Sequence, residues 1–432
     1  MSPSVSAPND EPLVRALGVR QVTASIVNTT VGAGIFLLPA LVSRELGAAA
    51  PLAFVACGLA MALIVSAFAI AGSRVATTGG IYAYVETAFG PFVGFLAGVL
   101  QWLVFILAVA SVSSALLDQL SVFVPALGGV VWRLGTLALI LSGLAFVNAR
   151  GVRSGARTIE VMTAAKLVPL LLFVAVGAFA IQPSNLAWPG LPGGDALGRA
   201  SLMLIFAFMG IEVALAPSGE VRDPARTVPR SIYLALAVTT VLYVAIQLVA
   251  QGVLGPALAD QSRAPLAEAT SRFMGSAGRS LILLGAMCSM FGYLSGDMLS
   301  SPRNLYAFAR AGVLPAVLAR VHPTRQTPHV AIWTHAALVF VLASTNSFEH
   351  LLVVSNVAGL ALYLMGCAAA MELTRRNVQG AGVPFAIPGT HVVPILASVV
   401  ILLIMSSATA KEMMVTAGTL GVASLLYLAR RR

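Results

Sequence analysis

The chain has 432 residues, of which 58% are hydrophobic and only 10% are charged, and its formal net charge is +10. Soluble proteins carry about 25% charged residues, so this composition excludes a water-soluble protein of this length and predicts a membrane protein. In a membrane protein an excess of Lys and Arg is first a signal of topology, so the charge does not predict a nucleic-acid partner.

The apolar segments are long enough to cross a bilayer as helices. A hydrocarbon core about 30 Å thick needs roughly 20 apolar residues per helix, and continuous rather than alternating hydrophobicity favours helices over strands. A polar tail at residues 1–20 shows no cleavable signal pattern. We therefore predict an all-α polytopic bundle of about twelve spans, near residues 23–44, 51–73, 92–116, 130–147, 158–181, 199–217, 229–254, 279–301, 329–345, 349–371, 391–409 and 411–428.

The positive charges predict the orientation of these spans. Most arginines fall in the alternate segments that share a side with the N-terminus, and cytoplasmic segments carry the excess of Lys and Arg. An even number of spans then leaves both termini in the cytoplasm and predicts a multi-pass protein of the cytoplasmic (inner) membrane. The three cysteines lie inside apolar segments and are interpreted as core residues.

Spans one and six carry helix-breaking residues at corresponding places. Span one contains Gly32, Gly34 and Pro39, and span six contains Gly210 and Pro217. Glycines in membrane helices also serve as close-packing positions, which would explain either span alone. Breaks in two spans that are five spans apart favour a substrate site instead. Paired interruptions at corresponding places mark the binding sites of transporters that are built from repeats.

A break in a membrane helix frees backbone groups that cannot stay unpaired in hydrocarbon. Amides near Gly32 and Gly34 would hold a carboxylate, helped by the positive end of the outer half-helix. Carbonyls freed at the two breaks would accept hydrogen bonds from an ammonium group, so a zwitterion such as an amino acid suits both. The predicted substrate-binding residues are Val27, Thr30, Val31, Gly32, Ala33, Gly34, Phe206, Ala207, Phe208 and Gly210.

Several short motifs follow one another along nearly the whole chain. They are residues 32–36 (GAGIF), 79–84 (GGIYAY), 210–212 (GIE), 219–224 (GEVRDP) with 227–230 (TVPR), and 303–310 (RNLYAFAR). In this order and spacing, the sequence resembles the amino acid–polyamine–organocation family of permeases. The resemblance implies a LeuT-type fold with a first repeat at 21–182, an inverted second repeat at 183–376, and two accessory spans at 377–432. It also implies secondary active transport, by symport or exchange, of amino acids or related amines.

Lys166 lies inside span five, where a charged side chain costs about 2.5–3.5 kcal/mol and indicates function. Its long side chain could also snorkel to the interface. In the sodium-independent members of the family that this chain resembles, a lysine here replaces a sodium ion between spans one and eight, which makes Ser300 and Ser301 its expected neighbours. The resemblance therefore implies sodium-independent or proton-coupled transport, since a buried lysine can lose its proton. Sodium-coupled symport is the alternative.

Two intramembrane carboxyls are further coupling or gating candidates, Glu212 in span six and Asp297 in span eight. The resemblance implies that Glu212 is a gating or pH-sensing group and that Phe206 is an aromatic gate, although burial and packing would explain both side chains. Asp297 departs from the family pattern. Three roles stay open for it: an ion pair with Lys166, contact with a cationic substrate, or carriage of a proton.

Other protein classes lack their usual signatures in this sequence. An enzyme needs a convergent set of reactive groups, but the histidines are scattered over loops and span ends, and there is no Gly-rich phosphate loop. We therefore expect no enzyme activity, cofactor or metal site; a non-transporting amino-acid sensor on the same fold remains an alternative. Some members of the family bind a partner through a cysteine between spans three and four. Residues 117–129 contain none, so the expected partners are the substrate, a proton and lipid, without a disulfide-linked subunit.

Overall fold

The computed structural model describes residues 18–75, 80–150, 156–188, 190, 192–212, 224–261, 263–379, 385, 387 and 389–430, and in these ranges it contains helices and no strands. The helices are α1 (Val19–Thr30), α2 (Leu38–Leu46), α3 (Ala50–Gly72), α4 (Ile81–Phe89), α5 (Pro91–Phe123), α6 (Val130–Ala149), α7 (Ala156–Gly177), α8 (Gly194–Phe208), α9 (Pro224–Leu254), α10 (Pro265–Ser300), α11 (Pro302–Arg310), α12 (His329–Thr345), α13 (Phe348–Arg375), α14 (Val393–Met405) and α15 (Ala410–Arg430).

The helices confirm the predicted membrane architecture of about twelve spans. Within the described residues, seven continuous helical stretches are long and apolar enough to cross a bilayer, and three shorter apolar helices accompany them. Span one consists of α1 and α2, whereas α4 and α11 are short helices between spans. Most of the predicted tail at 1–20 and the predicted continuation of span six through Pro217 lie outside the described residues.

Helix α13 forms the centre of the bundle. It packs on α5, α4, α3, α14 and α8. In its 18-residue apolar stretch 78% of the residues are buried, compared with 22% in the corresponding stretch of α6. Helix α6 leaves Val130, Val131, Trp132 and Leu139 exposed. Exposed apolar side chains on an outer helix match a lipid environment, because lipid tails are as apolar as the side chains themselves.

Two of the long helices depart from regular geometry. In α10, Gly275 has φ +63° and separates an outer segment from the membrane-crossing segment, so this element begins earlier than the predicted span near 279–301. In α7, Pro169 lies within the helix and removes one backbone hydrogen bond. Helix α10 packs closely at this point, because a Cβ on Gly285 would lie 2.8 Å from Pro169 and 3.0 Å from the carbonyl oxygen of Ala165.

Candidate functional site

The break predicted in span one is confirmed. Helix α1 ends at Thr30, a 3-10 turn covers Gly34–Phe36, and α2 starts at Leu38. The amide of Val31 still donates to the carbonyl of Val27 at 2.9 Å, whereas the amide of Gly32 turns back to the carbonyl of Thr30 at 2.8 Å. The first bond of the 3-10 turn runs from the Phe36 amide to the Ala33 carbonyl. The amides just before it therefore lie at the start of a helical turn, where backbone donors have no intrahelical partner.

The described part of span six is interrupted after Phe208, where α8 ends. Gly210 follows with φ +101°, a conformation that L residues with a side chain rarely adopt. Its amide donates to the Glu212 carboxylate, from N to Oε2, at 3.0 Å. The structure therefore gives Glu212, which is only half-buried, a role in terminating this helix.

The two breaks lie against each other. The Thr29 hydroxyl donates to the carbonyl of Gly210 at 3.3 Å, and a Cβ on Gly210 would lie 3.2 Å from the carbonyl oxygen of Thr29. A Cβ on Gly34 would lie 3.0 Å from the Phe206 ring. Both glycines are thus needed for the close approach of one interrupted helix to the other, which brings the predicted residues of spans one and six into one site.

Tyr243 on α9 joins the two breaks through one hydroxyl group. The hydroxyl lies 2.9 Å from the carbonyl oxygen of Thr30 and 2.9 Å from that of Ala207, and the side chain is fully buried. A phenol has a single proton, so the two carbonyls share one donor. Sequence reasoning missed this residue, although a tyrosine in an apolar span signals that its hydroxyl needs a polar partner.

Lys166 on α7 reaches α1, the first half of span one. Its ammonium donates to the carbonyl of Asn28, which lies in the last turn of α1. The expected serine neighbours make other contacts: Ser300 donates to the carbonyl of Gly296 at 3.1 Å, and Ser301 donates to the Asp297 carboxylate. Lys166 therefore contacts span one directly, and among the described residues it makes no hydrogen bond to Ser300 or Ser301.

Asp297 has a different partner from the one suggested by the sequence. Its Oδ2 lies 3.0 Å from Nε2 of His335 on α12, and its Oδ1 accepts a hydrogen bond from Ser301. The pair joins spans eight and nine, and both side chains are buried. Lys166 and Asp297 form no ion pair within 4.0 Å among the described residues, so the proposed pairing of these two groups is not present in this structure.

Exposure differs between the two ends of the site. Ser25 and Thr29 on α1 are exposed, and Gly210 and Tyr293 are half-buried, whereas residues 33–43, which include the start of α2, are all buried. Phe206 packs edge-on against Phe348, with ring centroids 6.2 Å apart. The exposed part of the site is therefore on the side of α1, and the buried part is on the side of α2.

Phe208 and Asn356, which lie near the site, have mainly packing roles. Phe208 is fully buried and packs against Tyr243, with ring centroids 5.4 Å apart. Asn356 on α13 donates to the carbonyls of Leu202 and Met203 on α8, at 2.7 and 3.2 Å. These contacts attach α8 to the central helix. Within the described residues, no group of three or more His, Cys, Asp or Glu side chains is placed to hold a metal ion.

Comparison with known proteins agrees with this architecture. A family model described as amino acid permease matches residues 17–427. The branched-chain amino acid permease BcaP of Bacillus subtilis (strain 168) is 27% identical over 410 residues, covering 90% of this chain and 87% of the relative. The serine/threonine exchanger SteT of the same organism is 26% identical over 402 residues, covering 90% of each chain. An uncharacterized transporter of Mycobacterium tuberculosis is 32% identical over 386 residues, covering 85% of this chain and 82% of the relative. The chain therefore belongs to the amino acid permease family, as its motifs predicted.

Proposed function

We propose that this chain is a sodium-independent, proton-coupled secondary transporter of amino acids or closely related amines. The observation that carries the proposal is the bond from the Lys166 ammonium to the carbonyl of Asn28, beside the break in span one. A fixed cation at this place supplies the positive charge that a coupling ion would otherwise bring. It also repels a sodium ion from the same carbonyl.

Gain and loss of the Lys166 proton would couple to movement of the inner half of span one. A charged amine makes a stronger hydrogen bond to a carbonyl than a neutral one, so protonated Lys166 holds α1 against α7. Deprotonation weakens this link and favours a conformation in which α1 has moved away. A proton can shift the equilibrium only through such a difference between the two states, and the Asn28 contact supplies one.

The substrate's carboxylate and amine would bind at the breaks of spans one and six. The amides at the start of the 3-10 turn suit a carboxylate. Several carbonyls expected to bind the amine already have donors in this structure, because Val31 bonds to Val27 and Tyr243 bonds to Thr30 and Ala207. The carbonyls at the end of α8 beyond Ala207 are therefore the better acceptors in our proposal.

The proposed orientation and repeat structure follow the charges and the breaks. We place both termini in the cytoplasm, so that the exposed end of the site faces the cytoplasm and the closed end faces outward. We assign spans one to five and six to ten to two inverted repeats, because each set begins with an interrupted span. Labelling of single cysteines in whole cells, at Lys411 for the outer face and at Arg376 for the inner face, tests this orientation.

Exchange is a second candidate mode of transport. The relative named as a serine/threonine exchanger aligns with 90% of this chain, whereas others are named as a branched-chain amino acid permease and a methylthioribose transporter. The substrate is therefore proposed only as an amino acid or a related amine, and the experiment below separates net uptake from exchange.

Uptake of a panel of labelled amino acids into proteoliposomes tests the proposal. We expect accumulation that an inward proton gradient drives, with or without sodium, and that Lys166→Ala abolishes. Lys411→Ala is the matched control, since Lys411 is exposed at the start of α15 and should leave uptake unchanged. Accumulation driven by sodium would contradict the coupling assignment. Uptake that needs internal substrate would favour exchange, and binding without uptake would favour a sensor.

A further inference from the structure

The Asp297–His335 pair is a buried titratable pair that the proposed mechanism does not use. Its two side chains are 5% and 0% exposed, and Nε2 of His335 lies 3.0 Å from Oδ2 of Asp297. The other carboxylate oxygen accepts a hydrogen bond from Ser301, the residue that follows the end of α10. Ionisable groups held at this depth in a membrane protein are costly, which calls for a function beyond joining two helices.

The pair can exist in two protonation states. A bond between Nε2 and Oδ2 requires one proton between these atoms, so the state with fewest protons is a carboxylate facing a neutral imidazole and carries one negative charge. One further proton neutralises the pair. If that proton resides on Oδ2 or on the ring, Nδ1 of His335 then carries a hydrogen, because the neutral ring has one N–H and the charged ring has two. If it resides on Oδ1, the Ser301 hydroxyl loses the acceptor that it has in this structure.

The surroundings of Nδ1 make the binding of this further proton depend on the conformation of the protein. Nδ1 of His335 is buried and has no hydrogen-bond partner among the described residues. In this conformation, a proton on Oδ2 or on the ring would create a buried N–H without an acceptor, and a proton on Oδ1 would take the acceptor of the Ser301 hydroxyl; both are unfavourable. A conformation that gives Nδ1 an acceptor would bind the proton more tightly. Proton binding at this pair is thereby linked to a change of state.

The pair is connected to the substrate site through α10. Tyr293 lies one turn before Asp297 on the same face, and it is within electrostatic range of both Asp297 and Glu212. Glu212 in turn accepts the hydrogen bond from Gly210 that ends the interrupted helix. A change of charge at Asp297 therefore acts on Tyr293, which also interacts with Glu212 at the break in span six.

Among the described residues, no other charged group on the packed helices forms an ion pair with Asp297 or His335. Asp118 on α5 and Arg133 on α6 bind each other at 2.7 Å, and they lie near the first residues of α10, because neighbouring Gln119 bonds to the carbonyl of Arg263. Asp297 lies near the opposite end of α10. Lys166 on α7 and Tyr243 on α9 bond to backbone carbonyls, whereas Arg303 on α11 is exposed.

We propose that Asp297 and His335 form a proton-binding site, separate from Lys166, that couples proton movement to substrate transport. The proposal rests on the proposed function, in which this chain moves amino acids together with protons. The proton enters the pair from one side of the membrane, neutralises its negative charge, and leaves to the other side after the change of state. Lys166 then sets the position of span one, and the pair sets the charge next to Tyr293 on span eight.

Asp297→Asn and His335→Gln test the proposal, because each keeps a polar group of similar size and removes the titratable one. We would measure accumulation driven by an inward proton gradient and compare it with counterflow, in which labelled amino acid exchanges without a gradient. The ratio of gradient-driven accumulation to counterflow should fall by about tenfold in each variant. This change is within the usual range for coupling between two sites. The pH dependence of counterflow should flatten, which a merely structural role would not produce.

Ser43→Ala is the matched control, since Ser43 and Gln251 form a buried polar pair between two helices at 2.8 Å without a titratable group. It should keep the wild-type ratio and pH profile. If one variant fails to fold, the other variant tests the proposal by itself. The double variant, which places two amide side chains at these positions, gives a further test. An unchanged ratio in the folded variants, or the same loss in Ser43→Ala, would overturn the proton site alone. Absence of gradient-driven accumulation in the wild type would overturn the proposed function with it.

Discussion

Replacing Gly210 by alanine should destabilise the interrupted end of span six. Gly210 has φ +101°, and strained backbone conformations cost about 1–3 kcal/mol for residues with a side chain. The new Cβ would also lie 3.2 Å from the carbonyl oxygen of Thr29, a backbone atom that cannot move aside easily. A cost of about 2 kcal/mol corresponds to a roughly thirty-fold change in an equilibrium constant, which should lower both thermal stability and uptake.

Gly143→Ala provides the comparison for this prediction. Gly143 lies within α6, and a Cβ there would meet no atom within 4 Å. Alanine at such a helical position should stabilise the protein by about 0.4–1 kcal/mol or leave it unchanged. The measurements are thermal unfolding in detergent and initial uptake in proteoliposomes at matched protein density. Wild-type stability and uptake in Gly210→Ala would refute the argument that the left-handed turn is needed.

Two further predictions concern polar links to the interrupted helices. Tyr243→Phe should lower the free energy of unfolding by about 1–3 kcal/mol, because two buried carbonyls lose their shared donor; an unchanged unfolding temperature would contradict this. Glu412→Gln should also cost about 1–3 kcal/mol, since Glu412 is buried and binds Arg199 through both oxygens at 2.9 and 3.0 Å. Glu349→Gln should cost only about 0–1 kcal/mol, because its single bond to Arg44 is exposed; equal shifts in unfolding temperature for the two Gln variants would refute the distinction.

The spans and their breaks could be predicted from sequence because their causes are local. A long apolar run must form a helix in a bilayer, and glycines such as Gly34 and Gly210 mark the places where that helix stops. The first segment of α10 is not predicted by hydropathy, because residues 265–274 are more polar than a membrane span. Span prediction by hydropathy does not detect such helices, although Pro265 at the start of this one is a common helix-starting residue.

The polar contacts of the site could not be predicted in the same way because they join distant parts of the chain. Tyr243 meets carbonyls of two other helices, and nothing near it in sequence identifies them. His335 was interpreted as one of several scattered histidines, and its importance depends on Asp297 in a neighbouring helix. Asp297 was singled out by its charge alone, but its partner depends on which helix packs beside it. Long-range pairings of this kind follow from the packing rather than from local residue patterns.

The attachments of α8 have a mechanical consequence. Arg199 ties this 15-residue helix to α15, Asn356 ties it to α13, and Tyr243 ties its last turn to α9. Because α8 is attached to three neighbouring helices at three positions along its length, it cannot tilt independently of them. We therefore expect α8 to move only together with α9, α13 and α15. We therefore expect any hinge in this span to lie beyond Phe208, and we expect α15, although outside the proposed repeats, to stay fixed with α8 if the other halves of the interrupted spans move during transport.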